Sequence, residues 1–265
     1  MTVFNQGKMK VFHVHQPFHL GDNIYNIHLY RKLIEANSEI IFIYYVQSVY
    51  IKPLNDFIKG YEDKIILKPY NERPLHSINS WINEDNTYYD KIINNICLEV
   101  IYYEFYQKFC KRLGLDCPIN DIVGTYLDYT ELLEPNALTT KNDYLIANSD
   151  PFSGQWVIRD EFKFITDKLL EKNVKIISLQ PTGISLIPCT RDYGLNLLQV
   201  GNIAINSRYI FGVHSAPFCT IINKYNYNKI EKCGVFHIHG IKYSGNNFYS
   251  FRNNQEVKNR FFTIF

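Results

Sequence analysis

The order of apolar runs predicts an α/β protein of two Rossmann-like lobes, with parallel sheets and a cleft between them. Three observations carry that expectation. The first 46 residues run strand, turn, helix, strand. Periodicity is lost between Asp116 and Asn142, a stretch that carries Pro118, Gly124 and Pro135. The alternation restarts at Tyr144. The lobes are therefore placed at residues 1–130 and 131–265, with a tail rich in Asn, Phe and Arg free to pack back on the first.

Element by element, Lys10–His15 is a β-branched and aromatic run stopped by Gln16-Pro17. The turn His19-Leu20-Gly21-Asp22 follows. Apolar residues at Ile24, Ile27, Tyr30, Leu33 and Ile34 then have helical spacing, with Asp22 or Asn23 as N-cap. Glu39–Val46 reads as a strand buried on both faces, so the unit is βαβ with a right-handed crossover. Ser48–Lys59 predicts a helix, Lys64–Lys68 a strand, and Tyr88–Leu113 one long helix stopped at Gly114. In the second half, strands are expected at Tyr144–Ala147, Val174–Leu179, Tyr209–Val213 and Val235–His239. Helices are expected at Val157–Glu171, within Leu195–Ile205, and at Ser215–Lys224.

Composition narrows the partners. With 28 Lys+Arg against 26 Asp+Glu in 265 residues, no broad basic face for nucleic acid is implied. The longest apolar run, Ile40–Val46, is far short of the ~20 residues that span a bilayer, so no transmembrane segment is expected. Six cysteines are scattered without a C-x-x-C pair, which disfavours structural zinc, and a core of this size needs no disulfide staple. With no signal-peptide pattern at the start, a cytoplasmic protein is expected.

Three turns concentrate polar groups where open α/β sheets place their ligands, outside the carboxyl ends of strands. The first is His19-Leu20-Gly21-Asp22-Asn23, where a carboxylate at a helix start is stabilised by the helix dipole and can take a proton from a hydroxyl. Asp is also an ordinary cap at such a position. His13 and His15 share one strand face, and His15 and His19 can line the same edge. No carboxylate or thiol lies at ligand spacing to these histidines, so no metal site is expected. The second turn, Asn148–Trp156, includes Ser149, Ser153, Gly154 and Gln155, groups suited to holding a phosphate at a helix N-terminus. The third, Gly212–Pro217, has the same placement and offers His214 and Ser215 with small neighbours. Thr182 and Gly183 close a further strand of that lobe. No G-x-x-x-x-G-K-[ST], G-x-G-x-x-G, Asp-x-Asp or G-x-S-x-G occurs, which counts against nucleotide hydrolysis, NAD binding and metal-chelated sugar nucleotides.

The pattern His19-Leu20-Gly21-Asp22-Asn23-Ile24…Leu33 resembles the Gly-Asp loop that opens heptosyltransferase-type glycosyltransferases of the GT-B fold. The run Leu195…Ile203-Ala204…Tyr209–Pro217 is similar to that family's donor-binding segment, and Ser153–Trp156 falls where the family carries a loop after its first C-terminal strand. Two positions depart: Val213-His214-Ser215-Ala216 stands for the family's Asp-Thr-Gly pattern, and Gln155 replaces a basic residue. The resemblance implies a metal-independent, inverting glycosyltransferase with no cofactor. Asp22 would be its base. His15, His19, Gly21 and Asn23 would lie on the acceptor side. Ser149, Ser153, Gly154, Gln155, Thr182, Gly183, Gly212, His214 and Ser215 would bind a nucleotide-sugar donor. The acceptor would be a hydroxyl of a glycan, lipid or protein. A nucleotide-sugar epimerase of the same fold, or a non-catalytic relative that binds glycan or protein, are the alternatives.

Overall fold

The protein is described from a computed structural model, over residues 9–81, 90–92, 94–128, 136, 138, 140–149, 159–237 and 239–265. In the first half, β1 (Lys10–Gln16), α1 (Leu20–Ala36), β2 (Ile40–Val46), α2 (Ser48–Asn55) and β3 (Ile65–Pro69) follow in turn, then a short β4 (Ile78–Asn79) and α3 (Leu98–Leu113). The four strands pair in parallel in the order β3-β2-β1-β4. The second half supplies β5 (Asn142–Ala147), α4 (Arg159–Leu170), β6 (Ile176–Ser178), α5 (Leu197–Ile205), β7 (Ser207–Val213), α6 (Ala216–Ile221), β8 (Lys232–Phe236), β9 (Phe248–Phe251) and α7 (Asn254–Ile264). Its strands also run parallel, in the order β6-β5-β7-β8-β9.

Aromatic stacking fixes the first lobe. Tyr30 of α1 lies flat on Phe42 of β2 at 4.3 Å and edge-on to Tyr44. On the outer side of α1, Tyr25 stacks on Tyr102 of α3 at 3.8 Å, and the Tyr106 hydroxyl donates to the Tyr25 carbonyl at 2.9 Å. In the second lobe Phe211 of β7 is ringed edge-on by Phe162, Phe251 and Phe261. The core does not stop at the lobe boundary. Ile24 and Tyr25 of α1 belong to the same buried cluster as Phe218 and Cys219 of α6 and Leu145 of β5.

Three expectations are corrected. The helix predicted from residue 88 to 113 is broken: Asn95 sits at φ 62, Cys97 is extended and bridges Lys242, and α3 begins only at Leu98. The first helix starts before Asp22, with His19 at the N-cap position. The tail packs on its own lobe through α7, which sets Phe261 against Phe211 and brings Lys258 to Glu161 at 3.2 Å, and it reaches back to residues 1–130 through Arg252, whose guanidinium donates to Asn95 Oδ1 at 3.0 Å. Before it, β9 adds a strand at the sheet edge that the aromatic-rich tail had hidden. Leu197–Ile205 is held as expected, through a capping box between Asn196 and Gln199.

Candidate functional site

In each sheet the chain reverses its direction of travel once. It steps from β1 outward through β2 to β3 and returns to place β4 on the other side of β1. In the second sheet it steps from β5 to β6, then returns to lay β7 on the other side of β5. Ligands of open α/β sheets bind at such switch points, outside the carboxyl ends of the strands. Asp22 follows β1, Ser149 follows β5 and Ser215 follows β7, so all three stand at switch points. The two turns also meet. A Cβ built on Gly21 would lie 3.1 Å from Cys219 Sγ and 3.7 Å from Ala216 Cα, so the first turn of α1 rests directly on α6.

Asp22 is half-buried in the first turn of α1. The Tyr102 hydroxyl donates to its Oδ1 at 2.9 Å. Burial pushes the carboxyl above the usual aspartate range, against the opposing pull of His19 and of the Tyr102 hydroxyl. A carboxylate raised in this way and set on a seam is a stronger base than an exposed aspartate.

The residues grouped with Asp22 separate. His19 stays beside it. His15 lies on the other face of β1: Val14 pairs with Tyr44 on the α1 side, and side chains alternate along a strand. There His15 Nδ1 is 2.9 Å from Ser77 Oγ, and its ring stands edge-on to Tyr70. Asn23 is enclosed at 0% exposure. Its amide donates to the Phe18 and His19 carbonyls at 3.0 and 2.8 Å and accepts from the Tyr44 hydroxyl at 2.6 Å. It braces the turn that carries Asp22 and presents no atom to a ligand.

In the second lobe, Ser149 and Ser215 come together from strands β5 and β7, with Oγ atoms 2.6 Å apart. The Ser215 hydroxyl is also 3.1 Å from the Val213 carbonyl, which it reaches as donor, and it makes no capping bond to α6. Asn148 knits the edge by accepting from the Leu179 and Gln180 amides and donating to the Gln180 carbonyl. His214 is pushed down to about 4 by burial, so its imidazole is neutral at pH 7. Thr182 accepts from the Ile184 amide at 3.3 Å, and Gly183 is exposed at φ +80. Gly212 needs another explanation than ligand approach. A Cβ there would fall 2.4 Å from both the carbonyl oxygen and the Cβ of Ala147, its partner across the β5–β7 ladder. Its smallness serves the sheet. Ser153, Gly154 and Gln155 lie outside the described residues.

Sequence reasoning missed Tyr102, whose place in a helical aromatic stripe reads as core. It also missed His237, which follows β8, stands 5.6 Å from His214 ring to ring, and is pushed down to about 2 by burial. Among the described residues, no three His, Cys, Asp or Glu side chains are grouped to hold a metal ion. No helix among them is long and apolar enough to cross a membrane.

No protein-family model matches the sequence, and no curated protein matches it by sequence. Solved structures do match in shape. E. coli heptosyltransferase WaaC with ADP superposes with a TM-score of 0.54 at 8% identity, over 91% of this chain and 92% of that one. The same enzyme with ADP-2-deoxy-2-fluoro heptose gives 0.50 at 9% identity over the same shares. A family 9 glycosyl transferase from Veillonella parvula gives 0.50 at 11% identity, over 86% of this chain and 81% of that one. With two parallel sheets, each reversing once, this chain has the fold of heptosyltransferase-like glycosyltransferases.

Proposed function

We propose that the protein is a glycosyltransferase that moves a sugar from a nucleotide-sugar donor to a hydroxyl of a glycan, lipid or protein, with inversion and without a metal ion, in the cytoplasm. Residues 1–130 would bind the acceptor and residues 131–265 the donor. The observation that carries this reading is the contact between the two turns: the Gly21-Asp22 turn lies on α6, beside the Ser149–Ser215 pair at the start of that helix.

A single displacement fits that layout. Asp22 removes the proton as the acceptor oxygen attacks the anomeric carbon. The bond to the diphosphate breaks on the opposite face, and its electron pair leaves with the phosphate oxygen. Attack and departure on opposite faces invert the centre. Ser149 and Ser215 offer hydroxyls to the departing charge, and the neutral His214 lines the same edge without adding a fixed charge. Thr182 and Gly183, with Ser153, Gly154 and Gln155, would complete the donor side.

The test is a panel of nucleotide-sugars scored for sugar transfer, run beside calorimetric titration of ADP and other nucleoside diphosphates. One diphosphate should bind at micromolar to millimolar strength, and its sugar conjugate should turn over in the presence of EDTA. Absence of any diphosphate binding would remove the reading. Activity abolished by EDTA and restored by a divalent ion would remove its metal-free part.

A further inference from the structure

We infer that Tyr102 is the positioning residue of Asp22: its hydroxyl holds Oδ1 at 2.9 Å and leaves Oδ2 as the oxygen that receives the acceptor proton. This deepens the reading of Asp22 as base and rests on it.

Tyr102 comes from α3, eighty positions along the chain from the carboxylate it serves. Its ring is 4% exposed and stacked on Tyr25 at 3.8 Å with 24° between planes, so the hydroxyl has little freedom to swing away. The helix itself is pinned one turn earlier. Glu99, 2% exposed, accepts from the Ser244 amide at 2.9 Å, from the Ser244 hydroxyl at 3.0 Å and from the Tyr126 hydroxyl. Beside it the Leu98 amide donates to the Lys242 carbonyl at 2.9 Å. The first turn of α3 is thus stitched to residues 242–244 of the second lobe, while its second turn addresses the first lobe's carboxylate. Both lobes together set where Tyr102 stands.

A donor aimed at the ionised form favours that form, and here it works against burial. The other titratable groups facing Asp22 are His19 on its own helix, Tyr44 of β2, Tyr50 of α2 and Cys219 of α6. Of these only His19 adds to the same stabilisation, and among the described residues Tyr102 is the side chain that donates a hydrogen bond to this carboxylate, at 2.9 Å.

The experiment reads the carboxyl directly and needs no substrate. In protein carrying carboxyl-¹³C aspartate, the Asp22 signal is assigned by its loss in Asp22→Asn and followed through a pH titration. Tyr102→Phe keeps the ring stack and should raise the Asp22 midpoint by about one to two pH units with the melting temperature held. 3-Fluorotyrosine at position 102, a stronger donor, should lower the midpoint and carries the test if Tyr102→Phe does not fold. A midpoint that stays put in both variants overturns the inference. That failure is separate from failure of the base itself. If Asp22→Asn retains transfer, the base reading falls even where the midpoint moves. If Asp22→Asn is inactive and the midpoint is fixed, Tyr102 alone loses its role.

Discussion

The turn after β1 and the turn after β7 leave their sheets in the same way, strand into helix at a switch point, yet they carry different chemistry. The first ends in a half-buried carboxylate gripped by a phenol from a distant helix. The second offers the Ser215 hydroxyl and a neutral imidazole, met by the Ser149 hydroxyl from the turn after β5, with no acid among its described side chains. A carboxylate beside a bound diphosphate would meet like charge, and a hydroxyl opposite an attacking alcohol would be too weak a base. Under the proposed function one geometry would serve two tasks, the side chains dividing acid–base work from anion binding. On that reading transfer needs both turns, since a site built from either alone would lack half the reaction.

Removing the carboxylate should give the largest effect. Asp22→Asn keeps the shape and can still meet the Tyr102 hydroxyl, so folding and diphosphate binding should be unchanged. Transfer should fall about 10²–10⁴-fold, the range of general-base contributions. Near-full turnover in that variant would reduce Asp22 to a first-turn charge on α1, and the contrast between the turns would lose its meaning.

The second-largest effect tests whether Gly212 belongs to the sheet or to the ligand. Gly212→Val forces a side chain into the backbone of Ala147 and should cost about 1–3 kcal/mol or more of stability, read as a lowered melting temperature. An unchanged melt with lost diphosphate affinity would return Gly212 to the binding turn.

Gly212 also marks how far the sequence could be read. The βαβ units were legible because β-branched runs and 3.6-residue spacing are local signals, and strands β1, β2, β5 and β7 came out within two residues of expectation. The turn residues were legible for the same reason, since a strand followed by a helix places its connecting turn at a sheet edge. The pairings across the molecule were not. Tyr102 meets Asp22 across 80 positions and Glu99 meets Ser244 across 145, and no local period records either. Gly212 looks equally small whether a ligand or Ala147 faces it. His15 was grouped with Asp22 because the two are near in sequence, whereas strand alternation turns it to the opposite face of the sheet.

An effect spread over three sites, each modest per pH unit, should appear on acidification. Burial pushes His28 and His214 down to about 4 and His237 to about 2, while an unfolded histidine titrates near its ordinary value of about 6.5. Below that value the unfolded chain takes up protons that the folded one refuses. Stability should therefore fall as pH drops from about 6.5 toward 4, by up to about 1.4 kcal/mol per pH unit for each histidine. Two of the three stand at the carboxyl edge of the second sheet, so the second lobe should feel acid more than the first. Thermal melts from pH 7 to 4.5 on the protein and on His214→Asn measure the share of one site. An identical slope in the variant would mean that His214 titrates normally.

The smallest effect, and the sharpest for the comparison, concerns the Ser149–Ser215 pair. Ser215→Ala should weaken nucleoside diphosphate binding about tenfold, the worth of a hydroxyl donated to a charged oxygen. An ordinary cap at this position would predict a stability loss of about 1 kcal/mol with binding untouched, but Ser215 makes no capping bond to α6. Its Oγ instead lies 2.6 Å from Ser149 Oγ and accepts the Ser149 proton while its own goes to the Val213 carbonyl, so the two hydroxyls must turn together to meet a phosphate. That geometry predicts non-additivity. Ser149→Ala should cost a similar factor alone, and the double variant should lose less than the product of the two, because each hydroxyl orients the other. Calorimetric titration of the four proteins with one nucleoside diphosphate, beside their melts, gives the coupling directly. Unchanged affinity in all four would leave the second turn with no ligand to hold, and the division of labour across the seam would rest on Asp22 alone.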